Sequence, residues 1–241
     1  MRNQSEYNKS AMPCDASSAG RQKGDSLRCL LLLSEGEILE GFEELRDSGF
    51  MPVAYPSTQD TSSLTDVDEK ESARYLGRNP AFVERRHVRS LRASFIRLLR
   101  DHRFDDDDMV IFGESDACPE VGEAKLKSAL IRELSEHPET DVFRLFHHSA
   151  CQAGSGPAND DELIFEEFKT ASRDPDTPYV WGTHAMVIPA RSRERVARVF
   201  ADYRLPTDIA LGASVNSGKL HIRTAQHNLF YQKKRKINLQ R

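Results

Sequence analysis

Two carboxylates stand one residue apart at the close of a short apolar run: Glu114–Ser115–Asp116 follows Met109 to Phe112. On an extended backbone, side chains at i and i+2 point to the same face. Two oxygens converging at the carboxyl end of a sheet strand suit a hard divalent cation such as Mn²⁺ or Mg²⁺. That end of an open α/β sheet is also a common place for a ligand. A diphosphate leaving group calls for such a cation, because charge builds on it as the bond breaks. Ser115, by strand alternation, is expected to point away from the pair. Taken alone, the triplet reads better as an acidic turn after a strand than as a cation site.

Three other segments carry groups able to do chemistry. Trp181–Gly182–Thr183–His184 combines a ring face, a hydroxyl and an imidazole with a glycine that allows close approach of backbone to a ligand. Leu205–Pro206–Thr207–Asp208 presents a carboxylate just past a helix; it is either an N-cap for the next segment or a catalytic acid held on a turn. Gln226–His227–Asn228 supplies a late histidine, a further metal ligand or part of a polar surface turn. Cys14, Cys29, Cys118 and Cys151 form no CxxC pair, so neither a zinc site nor a disulfide framework is expected.

These groups need a frame, and the apolar pattern supplies one. Leu27 to Leu33 is a near-continuous apolar run, as in a strand buried on both faces. Ile38 to Asp47 has helical spacing, with Gly49 as its stop, and Phe50 to Tyr55 reads as a second strand. Strand, helix, strand implies a parallel βαβ unit. The polar stretch Thr58 to Lys70 reads as a loop. Phe82 to His102 is the strongest helix, with its arginines mostly on a solvated face. Further helices are expected over Lys125 to Ser135 and Ser192 to Tyr203. Strands are expected over Asp141 to Phe146 and within Tyr179 to Pro189.

The bulk properties agree with one well-packed domain. The chain has 241 residues, 38% hydrophobic and 30% charged, with a formal net charge of −4. That balance gives no footing for a nucleic-acid partner. No apolar run reaches membrane-spanning length. The expected organisation is a polar flexible leader over 1–25, a folded domain over 26–232 and a basic tail over 233–241.

Taken in order, the motifs resemble glycosyltransferase family 25, the lipopolysaccharide sugar transferases. The likeness rests on the strand closed by Glu114–Ser115–Asp116–Ala117, on Gly182–Thr183–His184 opening a later strand, on the helix after it, and on Pro206–Thr207–Asp208. It runs over roughly residues 78 to 232 and takes in the helix around His87. Ser115 stands where the family usually has a middle acid, Arg86 rather than serine precedes His87, and the family's Asn-Leu opening is replaced by Leu33–Ser34–Glu35–Gly36.

The resemblance implies a GT-A-like α/β domain with a mostly parallel central sheet flanked by helices. It implies transfer of a hexose, such as galactose, from a nucleotide sugar to a saccharide or glycolipid acceptor in lipopolysaccharide or surface-glycan synthesis. Glu114 and Asp116 would hold Mn²⁺ or Mg²⁺ and the diphosphate, with His227 as a further ligand. Glu114, Trp181, Gly182, Thr183 and His184 would line the donor and acceptor pocket, and Asp208 would be the general base. The expected location is cytoplasmic, with peripheral association at the inner membrane. The alternative is a catalytically inactive GT-A-like domain that binds a saccharide or a partner.

Overall fold

The structure is a computed structural model that describes residues 27–33, 41–62, 64, 86–104, 109–146, 162–168, 183–203 and 205–233. The chain is an α/β protein. Its first strand, β1 (Arg28–Leu33), is buried along its length because alternate leucines serve opposite faces. Leu30 and Leu32 join one core cluster, while Cys29 and Leu31 join another. Each fully buried leucine contributes about 1.5–3 kcal/mol. Helix α1 (Phe42–Asp47) leads through Gly49, at a φ of 91°, into β2 (Met51–Pro56), which pairs parallel with β1. The expected βαβ unit is therefore present.

Helix α2 (Arg86–Leu99) packs Phe95, Leu98 and Leu99 against the sheet. Its arginines do not all face solvent. Arg92 is only 2% exposed, and its guanidinium donates to the carbonyls of Phe200 and Ala201. Burying that cation is tolerable because main-chain oxygens receive its N–H groups. The start of the segment expected as a loop is tied down as well: Thr58 N–H donates to Ser94 Oγ, and Ser90 Oγ donates to the Thr58 carbonyl.

Strand β3 (Met109–Glu114) lies parallel to β1 on the side away from β2. The chain then forms β4 (Ala117–Pro119), α3 (Glu123–Glu136), β5 (Val142–Arg144), β6 (Phe165–Glu167) and β7 (Ala185–Pro189). It closes with α4 (Arg193–Asp202), α5 (Thr207–Asn216), β8 (Ile222–Ala225) and β9 (Phe230–Gln232). Among the described residues the central sheet has seven strands, in the order β2-β1-β3-β7-β5-β8-β6, and β4 pairs with β9 in a separate ribbon. Residues of α2, α4 and α5 cover one face, and residues of α1 and α3 cover the other.

By strand direction the sheet is mostly parallel, as expected from the sequence, but it is mixed. Strands β1, β2, β3, β5 and β8 share a direction, but β7 runs antiparallel between β3 and β5, and β6 runs antiparallel at the edge. Helix α5 is the segment that the N-cap reading of Asp208 allows, and no apolar stripe announces it. Its Ile209, Ala210, Leu211, Gly212, Ala213 and Ser214 are all buried, so it shows no polar face and no 3.6-residue stripe. A helix that is apolar all round is one enclosed by the protein. Among the described residues, no helix is long and apolar enough to cross a membrane.

Candidate cation site at the carboxyl edge of the sheet

The direction of β7 builds the site. Glu114 is the last residue of β3, and His184 immediately precedes β7. Antiparallel pairing sets Gly113 opposite Ala185, so the end of one strand meets the start of the other. Glu114 N–H donates to the His184 carbonyl at 3.1 Å. A parallel β7 would have set His184 at the other edge of the sheet, since a strand of six residues spans about 20 Å.

Glycine is required at this junction. A Cβ on Gly113 would lie 2.5 Å from the His184 carbonyl oxygen and 3.1 Å from Leu31 Cδ2. Backbone cannot yield as a flexible side chain does. Gly113→Ala is expected to destabilise the chain by roughly 1–3 kcal/mol and to disturb His184. Thermal unfolding with and without Mn²⁺ checks this: a melting curve like that of the wild type would mean that the junction is looser than its contacts imply.

Glu114, Asp116 and His184 each offer one ligand atom, and these atoms all lie within 4.8 Å of one another. His184 Nε2 is 3.8 Å from Glu114 Oε2, too far for a hydrogen bond. Two ligands each about 2.1 Å from one ion sit roughly 3.0–4.2 Å apart at cis and trans octahedral positions. The 3.8 Å between His184 Nε2 and Glu114 Oε2 falls in that range, and the three ligand atoms together lie within 4.8 Å, slightly wider than a loaded site. Thr183 Oγ1 donates to Glu114 Oε1 at 3.2 Å and steadies that carboxylate, and the Phe146 ring meets the imidazole edge-on with centroids 4.8 Å apart.

Asp116 is 2% exposed, although the triplet was expected to lie along an extended strand. The strand in fact stops at Glu114, and Ser115–Asp116 form a turn into β4. The two carboxylates converge through that turn rather than by strand alternation. Asp116 is held from the end of the chain: Lys233 N–H donates to its carbonyl and Gln232 Nε2 to its Oδ2, both at 2.9 Å. Its other oxygen, Oδ1, is buried and has no hydrogen-bond partner among the described residues, and the same is true of His184 Nδ1. A buried unsatisfied polar atom costs about 1–3 kcal/mol. A bound cation would account for Asp116 Oδ1; His184, whose Nε2 lies 3.8 Å from Glu114 Oε2, would offer that nitrogen, so its unpartnered Nδ1 is not explained by the same ion.

The remaining expected site residues fall elsewhere. Trp181 and Gly182 lie outside the described residues. His227 is half-buried between β8 and β9 and is not in the cluster; His184, expected only to line the pocket, occupies the position beside the carboxylates. Asp208 lies within the first turn of α5, after Pro206 at the cap position, and its Oδ1 accepts from the Ile209 N–H at 2.9 Å. It is therefore not the N-cap. Gln232 carries no signal in the sequence, and Lys233 opens the stretch expected there as a solvated basic tail, a reading that its bond to the Asp116 carbonyl corrects. Lys233 Nζ also donates to Glu44 Oε1, a bond that holds the Glu44 carboxyl below its ordinary range and raises the lysine. No short motif marks these residues, because their role depends on the pairing of β9 with β4.

Fold and site together define an α/β protein with two carboxylates and an imidazole gathered at the carboxyl edge of a mixed sheet. No protein-family model matches the chain, and no curated protein is similar to it. Among solved structures, one described as the crystal structure of A197 from STIV aligns with a TM-score of 0.43 at 12% sequence identity, covering 87% of each chain. That likeness is too slight to carry a fold family or an activity across.

Proposed function

We propose that this chain is a metal-dependent glycosyltransferase of GT-A type, similar to family 25. It would move a hexose such as galactose from a nucleotide sugar to a saccharide or glycolipid hydroxyl, in lipopolysaccharide or surface-glycan synthesis at the cytoplasmic face of the inner membrane. The observation that carries the reading is the buried, unpartnered Asp116 Oδ1 in one cluster with Glu114 and His184. Two carboxylates and an imidazole fit Mn²⁺ better than Mg²⁺, because imidazole prefers transition metals to the harder ion.

A bound cation would offset the charge that develops on the departing diphosphate. Glu114, Asp116 and His184 would hold it, with Thr183 fixing the rotamer of Glu114. Asp208 would take the proton of the acceptor hydroxyl, as direct displacement with inversion requires. Its place in the first turn of α5 suits an ionised carboxylate, since the helix start carries partial positive charge.

A thermal-shift screen of nucleotide sugars with and without Mn²⁺ tests the reading. A donor at 100 times its Kd should stabilise the fold by about 2.7 kcal/mol, and only when Mn²⁺ is present. If no nucleotide sugar shifts the melting temperature in Mn²⁺, the donor site is refuted. Stabilisation without transfer to any acceptor would favour the non-catalytic saccharide-binding alternative.

A further inference from the structure

The cation site is assembled in part by the far end of the chain. Strand β9 pairs antiparallel with β4, with Ala117 opposite Gln232, Cys118 opposite Tyr231 and Pro119 opposite Phe230. Phe230 is fully buried and packs against Phe50 with ring centroids 5.7 Å apart, which anchors the strand in the core. The ladder ends where the Lys233 N–H meets the Asp116 carbonyl at 2.9 Å, so the backbone of Asp116 is clamped by the residue after β9. Gln232 itself is exposed, but its amide reaches inward to Asp116 Oδ2 at 2.9 Å.

That contact divides the two oxygens of Asp116. Oδ2 is committed to an amide donor, whereas Oδ1 is buried without a partner among the described residues. A carboxylate free to rotate would offer either oxygen, or both, to an ion. One pinned through Oδ2 presents Oδ1 alone and in a fixed direction. Ligating carboxylates are commonly oriented by such outer hydrogen bonds, and losing one typically weakens metal binding roughly 10–100-fold.

Resting on the cation-site reading above, we infer that Gln232 is a positioning residue for that site: its amide fixes the Asp116 carboxylate so that Oδ1 is the ligand oxygen. Residues 230–233 thereby couple the β4–β9 pairing to metal affinity. The side chain of Gln232 touches neither the cation nor the substrate, and it acts through Asp116.

The test compares Gln232→Met with the wild-type full-length chain, titrating each with MnCl₂ alone and following free Mn²⁺ by its paramagnetic resonance signal. Methionine keeps the length and bulk of glutamine and removes the donor. The expected result is Mn²⁺ binding weakened roughly 10–100-fold, together with a lower metal-free melting temperature, because Asp116 Oδ2 loses its donor. A purely structural role for Gln232 would lower the melting temperature in the same way but leave the Mn²⁺ affinity of Gln232→Met near normal. Equal Mn²⁺ affinity in Gln232→Met and the wild type overturns this inference and leaves the cation site standing. No Mn²⁺ binding by the wild-type chain overturns both.

Discussion

Asp116→Asn is expected to abolish Mn²⁺-dependent binding of nucleotide sugars while leaving the metal-free protein as stable as the wild type or more so. Asp116 is 2% exposed and lies within 4.8 Å of the ligand atoms of Glu114 and His184. Without a cation, two like charges at that spacing repel by about 1 kcal/mol in water and about 3–4 kcal/mol at an effective dielectric near 20, and Oδ1 has no partner among the described residues. Glu114, 26% exposed in its side chain, is partly screened, so the lower end of that range applies. Asparagine keeps an oxygen for Gln232 and removes the repulsion. A gain of about 1 kcal/mol would raise the melting temperature by about 2–4 °C in a chain of this size. Scanning fluorimetry with and without Mn²⁺ and a nucleotide sugar reads both effects. A variant that still responds to Mn²⁺ and donor as the wild type does would remove Asp116 from the site. A sharply lowered metal-free melting temperature would make it a structural acid.

For Asp208 the expected effect is on turnover rather than on binding. Asp208→Asn should retain donor binding and lose transfer by roughly 10²–10⁴ in kcat, the usual worth of a general base. The local structure makes this a clean substitution. The amide oxygen of asparagine can still accept from the Ile209 N–H, as Oδ1 of the aspartate does at 2.9 Å. Only the charge at the helix start is lost, which costs about 0.3–1 kcal/mol of stability. Steady-state kinetics at saturating donor separate the roles. An acceptor KM that rises with kcat preserved would make Asp208 an acceptor-binding residue. A kcat within a few-fold of wild type, with KM also unchanged, would leave it a structural acid at the head of α5.

Much of the frame was legible because its signals are local. Leu27 to Leu33 could only be a doubly buried strand, and the observed β1 alternates its leucines between two cores. The helices over Arg86–Leu99, Glu123–Glu136 and Arg193–Asp202 follow apolar stripes that any helical period displays. Helix α5 is signalled only by the N-cap reading at Asp208, for the converse reason: with nearly every side chain buried, it has no stripe to read. The four short chemical segments were also visible, since residue type and spacing are properties of the chain itself.

By itself, then, the sequence determined the α/β class, the parallel β1–β2 unit and the acidic pair closing β3. Which groups join that pair was decided by the tertiary structure alone. Of the two histidines that the sequence put forward, His184 reaches the carboxylates because β7 runs antiparallel to β3, so that its start meets the end of β3. His227 is left out of the cluster. Strand direction is set by how the whole sheet is threaded, and no property of Gly182–Thr183–His184 encodes it. The same holds for Gln232, which meets Asp116 across a sequence separation of 116 residues only because β9 pairs with β4. Contacts of that range come from packing and long-range ladder hydrogen bonds, which leave no periodic trace in the residues they join.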